Sequence, residues 1–230
     1  MIGRGGVESM LKYHGVGFDL DHTLVRYKLK PFIKRFYEAM CVFLVNHRDY
    51  PQEVLPVDEA AERRIFAMFF RAIFDHRTGF LLKMSGSLQV MRAFFGFDPV
   101  AEDEILRVYG DPPRLAGYTV EKRGGPGFTN LHEYFSAVQC PLLAQVVELR
   151  KRGDAMLAAR SYEQIMLDLR DASAHNLIVP DVEVFKTRQY PGYFLPEFLS
   201  RPRRYLNPVS SAFLDRLARL RERGLLTCII

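Results

Sequence analysis

Gly17-Phe18-Asp19-Leu20-Asp21-His22-Thr23-Leu24 decides how the chain reads. A short apolar segment, Val16 to Phe18, leads into two carboxylates that flank one leucine, and a threonine follows two residues later. If the segment is a buried strand, Asp19 and Asp21 emerge at its carboxyl end. In open α/β sheets that edge is where ligands bind. An Asp pair there can share one phosphoryl group, one carboxylate attacking phosphorus while the other handles protons.

Working outward, the end of the chain supplies a candidate partner strand. Phe213, Leu214, Leu217 and Leu220 recur at helical spacing after Asn207-Pro208, which suits a helix start. Gly224 fits the position just past the helix end. Leu225 to Ile230 is then an apolar run of strand length, the pattern of a buried parallel strand.

Between these ends, Pro31 opens an apolar-rich stretch with Phe32, Phe36, Met40 and Leu44 at helical intervals. Periodicity predicts a second helix from near Asp58 to Phe74, and a hairpin from Phe80–Met84 and Leu88–Ala93 turning at Gly86. Asp98-Pro99 reads as the cap of a helix closing at Gly110. Residues 111–127 read as loop. Pro141 to Arg152 reads as a helix ended by Gly153. Ser161 and Gln164 form a capping box for a helix reaching about Asn176. The chain therefore divides into 1–29 with the strand and acidic loop, 30–195 mostly helical with one hairpin, and 196–230 with a helix and a strand.

The 230 residues are 48% hydrophobic and 26% charged, the balance of an ordinary globular protein. A net charge of +5 favours anionic substrates by steering without demanding nucleic acid. Cys41, Cys140 and Cys228 show neither metal spacing nor a disulfide framework, which suits a reducing compartment. No apolar run approaches the roughly 18 residues of a membrane span, so the expectation is a cytoplasmic chain with no membrane and no nucleic-acid partner. The histidines show no ligand spacing.

The string FDLDHTL resembles the first motif of the haloacid dehalogenase superfamily. Within it, the match is to the 5′-nucleotidase-like branch, which holds cytosolic purine 5′-nucleotidase and the 5′-nucleotidase domain-containing proteins. Gly79-Phe80-Leu81-Leu82-Lys83 looks like that branch's hairpin, and Arg170-Asp171-Ala172 matches its "R-D-A" in a cap helix. The resemblance implies an α/β fold: a partial Rossmann-like core with two parallel strands, and a large, mostly helical cap insertion containing a β-hairpin. It implies Asp19 as nucleophile, Asp21 as general acid and base, and Thr23 as the residue that orders the loop. Asp19 and Asp21 would hold Mg2+, the aspartate through its carboxylate at 19 and its backbone carbonyl at 21. The substrate would be a nucleoside monophosphate or another small phosphate ester, with base contacts near Phe97 and on the Arg170 helix. Ala174 stands where the purine enzyme is acidic, which sets purine preference apart from the rest of the resemblance.

The family's second motif, its phosphate-binding lysine and its later acidic pair would follow the strand at Leu225–Ile230. The expectation is thus an amino-terminal part of a longer phosphohydrolase, weakly active or inactive in this form. The alternative is a non-catalytic fragment or a regulatory, interacting protein that retains the first motif alone.

Overall fold

The computed structural model describes residues 13–19, 23–56, 59–118, 127–133, 135–177 and 192–229. Among the described residues the first elements are β1 (Gly15–Phe18), β2 (Arg26–Tyr27), α1 (Leu29–His47) and α2 (Glu59–Ala67). Strands β3 (Ala72–Asp75), β4 (Phe80–Met84), β5 (Val90–Phe95) and β6 (Asp98–Pro99) follow, then α3 (Glu102–Tyr109) and β7 (Phe128–Leu131). Next come α4 (Gln139–Lys151), α5 (Ala155–Ala159), α6 (Tyr162–Leu177), α7 (Leu195–Ser200) and α8 (Pro202–Tyr205). The last elements are β8 (Leu206–Asn207), α9 (Ser211–Glu222) and β9 (Leu226–Ile229). They form two compact units, Met1–Phe32 with Phe198–Ile230, and Ile33–Glu197. The fold is α/β, with one parallel strand pair, antiparallel sheets and extensive helix among the described residues.

In the first unit β1 and β9 pair in parallel, with Gly15 opposite Leu226 and Phe18 opposite Ile229. The first strand and the last therefore lie side by side, as the resemblance implies. Strands β2 and β8 pair antiparallel, Tyr27 opposite Leu206. Helix α9 packs on β9, and the Phe213 ring meets the Phe18 ring edge-on at 5.6 Å. The helix begins at Ser211 rather than at Asn207-Pro208, because Asn207 is drawn into the β2 pairing. Its end follows the sequence reading: Gly224, at φ 82°, donates to the Arg221 carbonyl, and the Leu225 amide reaches back to Leu220.

The expectation of a buried final strand is corrected. Leu225 is buried, but Leu226 is 70% exposed. Strand residues alternate between two faces. Helix α9 covers the face of Val16, Phe18 and Thr227 in part, and the face of Leu226 and Cys228 stays open.

In the second unit a five-stranded antiparallel sheet runs in the order β6-β5-β4-β3-β7. The expected hairpin is present within it, with the second strand displaced to Val90–Phe95 and the turn spanning Ser85 to Gln89. Three readings change here. The helix expected to reach Phe74 stops at Ala67, and Ala72–Asp75 becomes the strand between β4 and β7. All four residues of β3 are buried. Three apolar residues followed by an aspartate carry no period of their own, so pairing on both edges decides the form of this segment. Asp98-Pro99 does not cap a helix: it pairs with Phe94-Phe95 as an edge strand, where proline is tolerated. Helix α3 instead follows Ala101 and closes at Gly110, at φ 84°.

The sheet is covered on both faces. Ile73, Leu82, Ala93, Ile105 and Tyr109 pack together under α3. Phe74, on the opposite face, meets Tyr162 of α6 edge-on at 5.9 Å, and α4 packs on β5. Helix α4 is buried nearly all round, as its run of Leu142, Leu143, Ala144, Val146 and Val147 requires. The capping box at α6 is half formed. Ser161 Oγ accepts from the Gln164 amide at 3.1 Å, while the Gln164 side chain turns to Asp168. Among the described residues no helix is long and apolar enough to cross a membrane.

Candidate functional site

Strand β1 ends at Phe18, and Asp19 follows at once, exposed at its carboxyl end. Thr23 Oγ1 donates to Asp19 Oδ2 at 3.4 Å, a long and weak bond that still aims the hydroxyl at the carboxylate. Among the described residues Asp19 makes no ion pair, and its Oδ1 has no hydrogen-bond partner, which leaves that oxygen open to an incoming group. Asp21 lies outside the described residues.

Arg170 and Phe97 belong to the other unit. Arg170 is exposed on α6. Its neighbour Asp171 pairs with Arg48 at 2.8 Å, and Ala172 is fully buried. Of the Arg-Asp-Ala motif, Arg170 and Asp171 thus face solvent, Asp171 in a surface ion pair, and Ala172 alone is packed inside. Near Arg170, His76 Nε2 lies 2.8 Å from Thr129 Oγ1. Burial pushes the His76 imidazole below its ordinary pKa, Glu163 opposes the shift, and Arg170 adds to it. Phe97 sits after the β5 strand and lines a cleft that does not include Arg170. The two residues named together in the sequence reading are therefore placed in different surroundings.

Two buried carboxylates are committed to the fold. Asp168 accepts from Tyr50, Arg160 and Gln164. Asp75 accepts from Tyr109 at 2.8 Å and from Arg77. Among the described residues no group of three His, Cys, Asp or Glu side chains is placed to hold a metal ion. Asp19 is the exposed carboxylate that the strand edge presents.

Residues 9–222 match the model of the 5′ nucleotidase family. The chain belongs to the 5′ nucleotidase family. It is 27% identical over 219 residues to the human (Homo sapiens) protein named 5′-nucleotidase domain-containing protein 1, covering 94% of this chain and 45% of that one. It is 28% identical over 174 residues to 5′-nucleotidase domain-containing protein 2 of Rattus norvegicus, covering 73% of this chain and 30% of the relative. The chain thus spans less than half the length of these curated relatives. In this 5′ nucleotidase family chain the matched region contains Asp19, Thr23, Phe97 and Arg170.

Proposed function

We propose that this chain contributes the phosphoryl-accepting end of a phosphomonoester hydrolase whose substrate is a nucleoside monophosphate. The observation that carries the reading is the placement of Asp19: directly after a strand of a parallel pair, exposed, with no ion-pair partner among the described residues, and approached by the Thr23 hydroxyl. Membership of the 5′ nucleotidase family supports the substrate class. In this reading residues 30–195, inserted between the paired strands, form a cap that controls when water enters, and residues 1–29 and 196–230 belong to the catalytic core.

The steps follow from the side chains. An Asp19 carboxylate oxygen attacks phosphorus, the bond to the leaving oxygen breaks, and an aspartyl-phosphate forms on Asp19. Asp21 gives its proton to the leaving oxygen, then takes one from the water that hydrolyses the acyl phosphate. Thr23 keeps the Asp19 carboxylate oriented. Magnesium is bound through one or two carboxylates plus waters and phosphate oxygens, so a single open carboxylate with the neighbouring backbone fits it. Asp19 and the Asp21 carbonyl would hold the ion, which would screen the charge on the phosphate. A cytosolic setting belongs to the same proposal, because Cys41, Cys140 and Cys228 are all free thiols.

The test uses a protein of the relatives' length, assayed with magnesium on nucleoside monophosphates and p-nitrophenyl phosphate. Asp19→Asn should abolish turnover and remove the acid-trapped phosphoenzyme. Turnover near the unmodified level in that variant would overturn the assignment.

A further inference from the structure

A cleft of about 460 Å³ opens in the second unit, away from every residue given a role above except Phe97. Its floor is apolar and buried: Tyr37, Val54 and Ile65 are 3%, 1% and 4% exposed. One wall is the Phe97 ring. The loop that carries it is held in place, because the Phe97 amide donates to Glu148 Oε1 at 3.0 Å. Gly96, at φ 66°, lets that carboxylate approach to within 2.1 Å of where a Cβ would stand.

The rim is cationic. Arg64 and Arg152 both line the cleft and are exposed. The Arg64 guanidinium lies 5.8 Å from the centre of the Phe97 ring. Among the described residues neither arginine pairs with a carboxylate. The nearby acids are taken: Lys151 holds Asp98 at 2.6 Å and Glu148 at 2.9 Å. Glu53 is the one acidic residue of the described lining, against two arginines.

This combination has a recognisable chemistry. Guanidinium groups present a planar fork that matches phosphate oxygens in pairs. An aromatic face beside an apolar floor accepts a flat ring. The volume falls within the range of small-molecule sites, roughly 300–1,000 Å³. The described lining contains no histidine, cysteine or aspartate and a single carboxylate, Glu53, so it lacks the two-carboxylate arrangement proposed for the reaction at Asp19 and Asp21.

We propose that this cleft is a binding site for a phosphate monoester carried on a flat ring, bound without turnover, its phosphate on Arg64 and Arg152 and its ring on Phe97. The site is independent of the reaction proposed at Asp19 and would stand if that reading failed.

Calorimetric titration of the full chain with excess chelator, so that magnesium-dependent turnover is silent, tests it. The probes are phenyl phosphate, inorganic phosphate, phenol and adenosine monophosphate. Phenyl phosphate should bind at least about tenfold more tightly than inorganic phosphate or phenol, as expected when charge and ring contribute together. Arg64→Gln and Arg152→Gln should each weaken it by about tenfold or more, the scale of one charge-assisted contact. Phe97→Leu should erase the advantage over inorganic phosphate, and Asp19→Asn should change nothing. Tighter binding of the nucleotide than of phenyl phosphate would identify a nucleotide as the source of the ring; equal binding would identify a simple aryl phosphate. Absence of saturable binding, or binding that survives both arginine changes, would overturn the proposal. So would loss of binding in Asp19→Asn, which would place the ligand at the proposed reaction site.

Discussion

Tyr50 and Asp168 share a hydrogen bond of 3.0 Å in the interior, although 118 residues separate them. The Tyr50 hydroxyl donates, and the carboxylate also accepts from Arg160 and from Gln164. Asp168 is 3% exposed. Burial raises the Tyr50 pKa, and the charge of Asp168 raises it further. The second nitrogen of Arg160 meets the Arg48 carbonyl, so the group ties α6 to the segment after α1.

Removing one partner of a buried charge pair leaves the other uncompensated. Asp168→Ala should therefore cost about 3–5 kcal/mol of stability, and Tyr50→Phe about 1–3 kcal/mol for one unmade bond. Urea denaturation of both variants checks this. A loss below about 1 kcal/mol for Asp168→Ala, the scale of an exposed pair, would contradict the role given to it.

Gly79 and Gly86 make a matched pair for a second test. Gly79 sits at φ 77°, and a Cβ there would lie 2.3 Å from the Tyr162 ring. Gly79→Ala should lose about 1–3 kcal/mol through overpacking and about 1–2 kcal/mol more from the left-handed backbone. Gly86→Ala, with nothing within 4 Å, should be nearly neutral. Thermal unfolding of the two variants side by side would expose the error if they behave alike.

Stability should fall on both sides of neutrality. Burial lowers the folded pKa of His76 and His132 from 6.5. The unfolded chain then takes up protons first, so their contribution is present above 6.5 and lost as pH falls through the folded values. On the alkaline side, burial raises Tyr37, Tyr50 and Tyr109 above 10.0. The unfolded tyrosines ionise first, so stability declines as pH rises past that value. Denaturation midpoints measured across pH should show both declines. The acid limb should flatten in a His76→Asn, His132→Asn double variant, and an unchanged limb would assign it to other groups.

In a protein of the relatives' length, Asp21→Asn should not affect all substrates equally. A general acid contributes about 10²–10⁴-fold, and it matters most when the leaving group is poor. The loss in kcat should be larger on a nucleoside monophosphate than on p-nitrophenyl phosphate. Equal losses would argue that Asp21 orients the substrate rather than protonating the leaving oxygen.

Local chemistry made part of this protein legible in its sequence. Val16–Phe18 running into Asp19 marked a strand with an acidic loop at its carboxyl end. Gly224 marked the end of α9, and the spacing of Phe32, Phe36, Met40 and Leu44 marked α1. Each of these depends on neighbours within a turn or two of chain. Tertiary structure decided what depends on distant partners. Ala72–Asp75 reads as the tail of a helix until β4 and β7 pair with it on both edges. Leu226 reads as core, yet it is exposed because one helix covers only one face of a two-stranded sheet. Arg64 and Arg152, 88 residues apart by their numbers, carry no local signal. Only the packing of α2 and α4 around Phe97 brings them to the rim of one cleft, since a shared pocket is a property of folded surfaces and not of spacing along the chain.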